Sequence, residues 1–187
     1  MAFTKANGDL IAFLDDDDVW LPTKLEEQVP MFENAEVGLV YSDVIYFNQK
    51  GHEKRNFDQF NYLNGRCFSN LLIGIEAFPI TTASVVFRSK VLKSDLINCT
   101  DDLIPIRDAD LFCRIAYDWA IECINRPLAK IRIHDKQNSI NHQDWFYKEW
   151  ERNLDAYDQL IPDFKSKFSN ERFILLRYIA FTKAKYY

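Results

Sequence analysis

Several things are missing from this 187-residue sequence, and each omission closes off a class of protein. Basic residues form no stripe, and the formal net charge is -5, so a nucleic-acid backbone would be repelled on average. Nucleic acid is therefore not an expected partner. Cys67, Cys99, Cys113 and Cys123 are widely separated with no Cys-x-x-Cys pair, which argues against a zinc site and a small disulfide scaffold. Reduced, cytosolic thiols are the expectation. No secretory signal opens the chain, and no apolar run approaches the ~20 residues a membrane-spanning helix needs. A soluble, cytoplasmic chain is therefore expected, and internal repeats and low-complexity tracts are also lacking. What is present is ordinary for a folded protein: 48% hydrophobic and 27% charged residues, enough for one substantial core. Only the aromatic share, 15%, is high, which suits core volume or the lining of a cleft.

The pattern along the chain alternates strands with helices and predicts an α/β fold. Leu10 to Leu14 is an unbroken apolar run ended by four aspartates, as expected of a central strand buried on both faces. Pro22 then suits the first turn of a helix whose Leu21, Leu25, Val29 and Phe32 recur at helical spacing. Gly38 to Phe47 reads as a second strand leaving through a turn at Asn48 to Gly51. Gly51 to Gly65 lacks a period and reads equally as a mobile loop over a site and as a simple surface insertion. Thr81 to Phe87 reads as a strand and Arg88 to Leu96 as a short helix or turn. Leu111, Phe112, Ile115, Ala116 and Trp119 make a helical stripe whose first turn carries Asp108 and Asp110, where the helix dipole favours acids. Ala120 to His134 predicts two short strands with Pro127 between them. Trp145 to Leu160, with Phe146, Trp150, Leu154 and Tyr157 on one face, is an amphipathic helix stopped before Pro162. A last helix begins near Glu171. Its dense segment Phe173 to Phe181 reads as core, with peripheral membrane contact as the second reading.

Asp15, Asp16, Asp17 and Asp18 carry the chemistry. Ligands of open α/β sheets bind outside the carboxyl ends of the strands, which is where these four acids fall. Adjacent carboxylates repel one another unless something neutralises them, and hard oxygen ligands suit Mg²⁺ or Mn²⁺. A solvated turn that merely starts a helix seldom needs four aspartates.

The segment "NGDLIAFLDDDDVWLPTKLEEQV" resembles the D-x-D region of family 2 glycosyltransferases, written A-x-G-(D/E)-(Y/L)-I-A-F-L-D-x-D-D-x-W-x-P-x-K-L. The resemblance implies a partial GT-A (Rossmann-like) mixed sheet flanked by helices, with C-terminal helices. It also implies a nucleotide-diphosphate sugar donor, a saccharide or lipid-linked acceptor, and a Mn²⁺ or Mg²⁺ ion. By position, Asp15 and Asp16 would face the nucleotide sugar, Asp17 would ligate the metal, and Asp18 would support them. "IRDADLFCRIA" is similar to the family's E-D-x-D-L-x-x-R segment, which makes Asp108 the general base and Asp110 a supporting acid. Arg107 stands where that pattern has an acid. "RPLAKIRIHDKQNSIN" is similar to P-L-x-x-Y-R-x-H-x-x-x-x-S, which would bring His134 to the metal or diphosphate. On this resemblance, residues 1–140 are the metal and acceptor side of a GT-A domain, and 141–187 are a helical extension. The family's first strands, with their D-D-x-S motif, do not precede Met1.

Two other readings compete. "IAFLDDDDV" also fits the D-x-D-x-(T/V) motif of haloacid dehalogenase-type phosphatases, with Asp15 as nucleophile and Asp17 as acid, although Asp101-Asp102 replaces the later acid pair poorly. The third reading is a truncated transferase that only binds a carbohydrate or a partner.

Overall fold

In the computed structural model the described residues are 6–74, 78–98, 108–134 and 143–186. They fold as two compact units, residues 1–133 and 134–187. The first unit is built on a mixed sheet. Its strands are β1 (Leu10–Ala12), β2 (Val19–Trp20), β3 (Val37–Phe47), β4 (Glu53–Arg55), β5 (Val86–Arg88) and β6 (Ala120–Arg132). They run in the order β1-β5-β3-β6-β2, and β4 pairs with the far end of β3. Only β3 and β6 run parallel; the other pairings are antiparallel. Helices α1 (Lys24–Gln28), α2 (Phe68–Ile73), α3 (Asp95–Asn98) and α4 (Asp108–Asp118) accompany this sheet. The α/β class expected from the sequence is therefore what the chain adopts.

β3 forms because its Val, Ile, Tyr and Phe residues fit a pleated, covered surface, and its first eight residues are buried. Phe32, Val37, Val40 and Val86 make one core cluster, and Val44, Ala83 and Ala129 make another. Gly38 is required by packing: a Cβ there would overlap the Trp119 side chain.

Five local expectations in this unit need correction. Thr81 to Phe87 is not one strand, since Thr82–Ser84 is a 3₁₀ turn and only Val86–Arg88 forms β5. The run Leu10 to Leu14 is not a central strand. β1 lies at one end of the sheet among the described residues, and Leu14 is 49% exposed. The helix after Pro22 is short and passes into a 3₁₀ turn, Val29–Glu33. Its buried face is Lys24 and Gln28, while Leu25 and Val29 are exposed, because the partners of the polar pair come from elsewhere in the chain. Ala120 to Arg132 is one strand. Pro127 lies at a register shift where Ser42 faces Ile124 and Asp43 faces Pro127, so its missing N–H interrupts no regular ladder. Finally, the segment expected to be a loop contains a short strand. Residues 53–55 pair with β3, and the buried Asp43 carboxylate accepts from the Phe57 amide at 3.0 Å and from Arg55 Nε at 2.6 Å. Phe57 in turn packs edge-on to Tyr41.

The second unit contains α5 (Gln143–Leu160), α6 (Phe164–Lys167) and α7 (Ser169–Tyr186). Tyr157, Phe164, Leu175 and Ile179 supply its core. Phe173 and Phe181, expected to be core, are 59% and 72% exposed, since α7 turns only one of its apolar faces inward. No described helix is long and apolar enough to cross a membrane.

Candidate active site

The acidic turn begins three residues beyond β1. Its backbone closes on itself through the Asp18 amide donating to the Asp15 carbonyl at 3.2 Å. Trp20 steadies the approach, its indole Nε1 donating to the Phe13 carbonyl at 3.2 Å. The far side is fixed by the end of β6. The Arg132 amide donates to Asp18 Oδ1 at 3.0 Å, and Arg132 Nε reaches the Asp17 carbonyl at 3.3 Å. Phe47 supports that guanidinium from below, with the ring centroid 4.7 Å from Cζ. Asp15 and Asp16 are exposed, and Asp17 and Asp18 are half-buried.

Asp108 opens α4 and faces solvent. Thr82, in the 3₁₀ turn Thr82–Ser84 just before β5, donates its hydroxyl to Asp108 Oδ2. Partial desolvation raises the pKa of Asp15, and the charges of Asp108, Asp17 and Asp16 raise it further. The first acid of α4, remote in sequence, thus acts on the first acid of the turn. Asp18 is pushed up to about 6. Desolvation is the main cause and Asp17 and Asp15 add to it, outweighing the Arg132 amide and guanidinium. Negative charge is thus concentrated at one end of the sheet.

Not every acid named from the sequence joins this cluster. Asp110 is 3% exposed and turns into the core, where Arg114 Nε donates to it at 2.8 Å. The same guanidinium caps the Leu96 carbonyl at 2.6 Å. Asp110 therefore anchors α4. His134 opens the second unit. Arg107, Asp101, Asp102, Cys99 and the residues that follow His134 in its motif, through Ser139, lie outside the described residues, as does the Phe146 side chain.

Sequence reasoning missed three contributors: Thr82, Arg132 and the buried pair Lys24 and Gln28. Each acts across a long chain separation, so local pattern carries little sign of it. Lys24 and Arg132 do stand at fixed positions of the motifs quoted above, the K of P-x-K-L and the R of P-L-x-x-Y-R-x-H, whereas the only sign of Thr82 is the pair of threonines at the entry to β5.

Among the described residues no three His, Cys, Asp or Glu side chains converge as a metal-holding group. The acidic turn nevertheless has the donor chemistry for Mg²⁺ or Mn²⁺. These ions are commonly held by one or two carboxylates, with water and substrate phosphates completing the shell.

The family model described as glycosyl transferase family 2 matches residues 1–95, which include the acidic turn. An uncharacterized glycosyltransferase of Methanocaldococcus jannaschii is 30% identical over 73% of this chain and 46% of its own length. An uncharacterized glycosyltransferase of Nostoc sp. is 28% identical over 99% of this chain and 59% of its own. The chain thus spans about half the length of the relatives it matches. The crystal structure of S. aureus TarS in complex with UDP-GlcNAc shares the fold, with a TM-score of 0.55 at 13% identity. That match covers 92% of this chain and 51% of the TarS 1–349 chain.

Proposed function

Because the chain belongs to glycosyl transferase family 2, we propose that it is the metal and acceptor side of an inverting glycosyltransferase. The reaction moves a sugar from a nucleotide-diphosphate donor to a hydroxyl of a saccharide or lipid-linked acceptor, in the synthesis of a cell-surface polysaccharide or glycan. The observation that carries this reading is the family match across the acidic turn, whose four carboxylates follow β1 and are tied to the end of β6 through Arg132. The TarS structure, which contains UDP-GlcNAc, supports a nucleotide-sugar donor.

In this reading Asp108 accepts the proton of the acceptor hydroxyl as that oxygen attacks the anomeric carbon. Thr82 fixes one carboxylate oxygen of Asp108 and so limits its rotation. Asp15 and Asp16 face the nucleotide sugar, and Asp17 would hold the Mn²⁺ or Mg²⁺ ion. Arg132 keeps the turn in place through its bonds to Asp17 and Asp18. The bound ion would supply counter-charge for the departing diphosphate. The family match covers the acidic turn itself, which favours transfer over the phosphatase alternative.

The test uses the chain joined to the nucleotide-binding strands of a family relative. A panel of nucleotide-diphosphate sugars is expected to raise its melting temperature only when Mn²⁺ is present. Asp17→Ala should abolish that shift. Asp108→Ala should keep the shift and slow turnover by about 10²- to 10⁴-fold. A Mn²⁺-dependent shift that survives Asp17→Ala, or full turnover by Asp108→Ala, would overturn the assignment. Hydrolysis of an aryl phosphate would favour the phosphatase, and donor binding without transfer would favour a binding module.

A further inference from the structure

A deeply buried polar group near the acidic turn is one that the proposed reaction does not use. Lys24 is 1% exposed, although it lies on a short surface helix six residues beyond the turn. Its ammonium donates to the Ser84 carbonyl at 3.2 Å and the Val85 carbonyl at 3.5 Å, and to the Gln28 side-chain oxygen. It also lies 5.2 Å from the centroid of the Trp20 ring. Gln28 is fully buried and adds a second tie, its Nε2 donating to the Ser84 carbonyl at 2.8 Å and the Val40 carbonyl at 3.2 Å.

These contacts join two arms of the site. One arm is the acidic turn, which Trp20 fastens through the Phe13 carbonyl. The other is the 3₁₀ turn Thr82–Ser84, whose first residue holds Asp108. Both arms end on Lys24: Trp20 packs against its ammonium, and Ser84 and Val85 accept its hydrogen bonds. We propose that Lys24 is a positioning residue that sets the separation between the acidic turn and Asp108. The claim rests on the glycosyl-transfer reading and extends it to a residue that touches neither substrate nor metal.

An apolar side chain of similar length would fill the same space more easily. Burial disfavours the ammonium, pushing its pKa down to about 7. Such a residue could not answer the buried Val85 carbonyl, and it would leave the Ser84 carbonyl to the Gln28 amide alone. Held carbonyls mean a held 3₁₀ turn. A held turn keeps the Thr82 hydroxyl where Asp108 needs it, and displacements of about 1 Å near reacting groups can slow catalysis by about 10²-fold.

The experiment pairs Lys24→Met with Thr82→Val, alone and combined, and reads two things. Hydrogen exchange on the chain itself reports the turn without any need for activity. The Ser84 and Val85 amides, which donate to the Thr81 and Thr82 carbonyls, should exchange faster in Lys24→Met. In the chain joined to nucleotide-binding strands, Lys24→Met should lower kcat by about 10- to 100-fold and leave donor affinity within about threefold. The double variant should be no slower than the slower single one, because both substitutions break the same connection. Unchanged exchange at Ser84 and Val85 overturns the proposal. So does a loss in donor affinity that matches the loss in kcat, or independent, multiplying effects of the two substitutions. If Lys24→Met does not fold, Gln28→Leu loosens the same Ser84 carbonyl and must give the same pattern in smaller measure. Failure of the parent protein to transfer sugar would sink the transferase reading, while the exchange result would still decide whether Lys24 holds the turn.

Discussion

Two sets of carboxylates in the first unit live under opposite conditions. Asp43 and Asp110 are buried, and each meets a guanidinium, Arg55 at 2.6 Å and Arg114 at 2.8 Å. Asp15 and Asp18 are more open, and each has its pKa raised by neighbouring acids as well as by desolvation. The fold neutralises the first set internally. It gathers the second set against its own repulsion. Carboxylates held together in this way are poised to gain from an added cation, whereas the buried pairs have nothing further to gain. Acids equally prominent in the sequence thus divide into those that hold the fold and those that wait for a partner.

The contrast can be broken from either side. The largest effect is expected for Asp110→Ala, which strands the Arg114 guanidinium in the core. It should lower unfolding stability by about 3–5 kcal/mol in urea titration. A loss comparable to that of a surface substitution would show that the pair is not structural.

A smaller effect should come from pH, with Lys24 and Asp18 acting in separate windows. The folded pKa of Lys24 is depressed from 10.5 to about 7, so the unfolded chain binds the extra proton between those values. Stability should therefore rise as pH climbs from about 7 towards 10, and Lys24→Met should flatten that slope. For Asp18 the folded pKa is raised from 3.8 to about 6, so the folded chain binds the extra proton. This contribution falls as pH rises from about 4 to about 6, and Asp18→Asn should remove it. Thermal melts across both ranges check the two signs.

The smallest effect, and one of opposite sign to the first, is expected for Asp15→Asn. Removing one of the mutually repelling acids should stabilise the chain by roughly a few tenths of a kcal/mol at low salt, and by less at high salt. Clear destabilisation would mean that the turn needs this charge for its own structure.

The readable parts of the sequence were those governed by near neighbours. The strand β3, the stripe on α4 and the acids closing the run after Leu10 all follow local periodicity or punctuation, and they emerged in place. Asp108 could be named because a helix start and a motif coincide there. Its partner Thr82 could not, since the contact depends on how the turn before β5 meets α4. The apolar spacing of Leu25 and Val29 pointed to the wrong face of α1. Lys24 and Gln28 are buried because carbonyls of Val40, Ser84 and Val85 require donors there, a demand that arises far along the chain. Pro127 suggested a break between two strands, yet a register shift absorbs it inside one.

That uninterrupted strand also behaves as a connecting rod. β6 starts two residues after α4 ends and finishes at the arginine that grips the acidic turn, so one stiff element spans from the helix that carries Asp108 to the loop of Asp15 to Asp18. Alternation along a strand has a period of two, so removing a single residue after the Pro127 shift would reverse every side chain up to Arg132. The guanidinium would then leave Asp17, and Phe47 would lose the cation it carries. Spacing along β6, quite apart from the identity of its residues, is therefore part of how the site is calibrated.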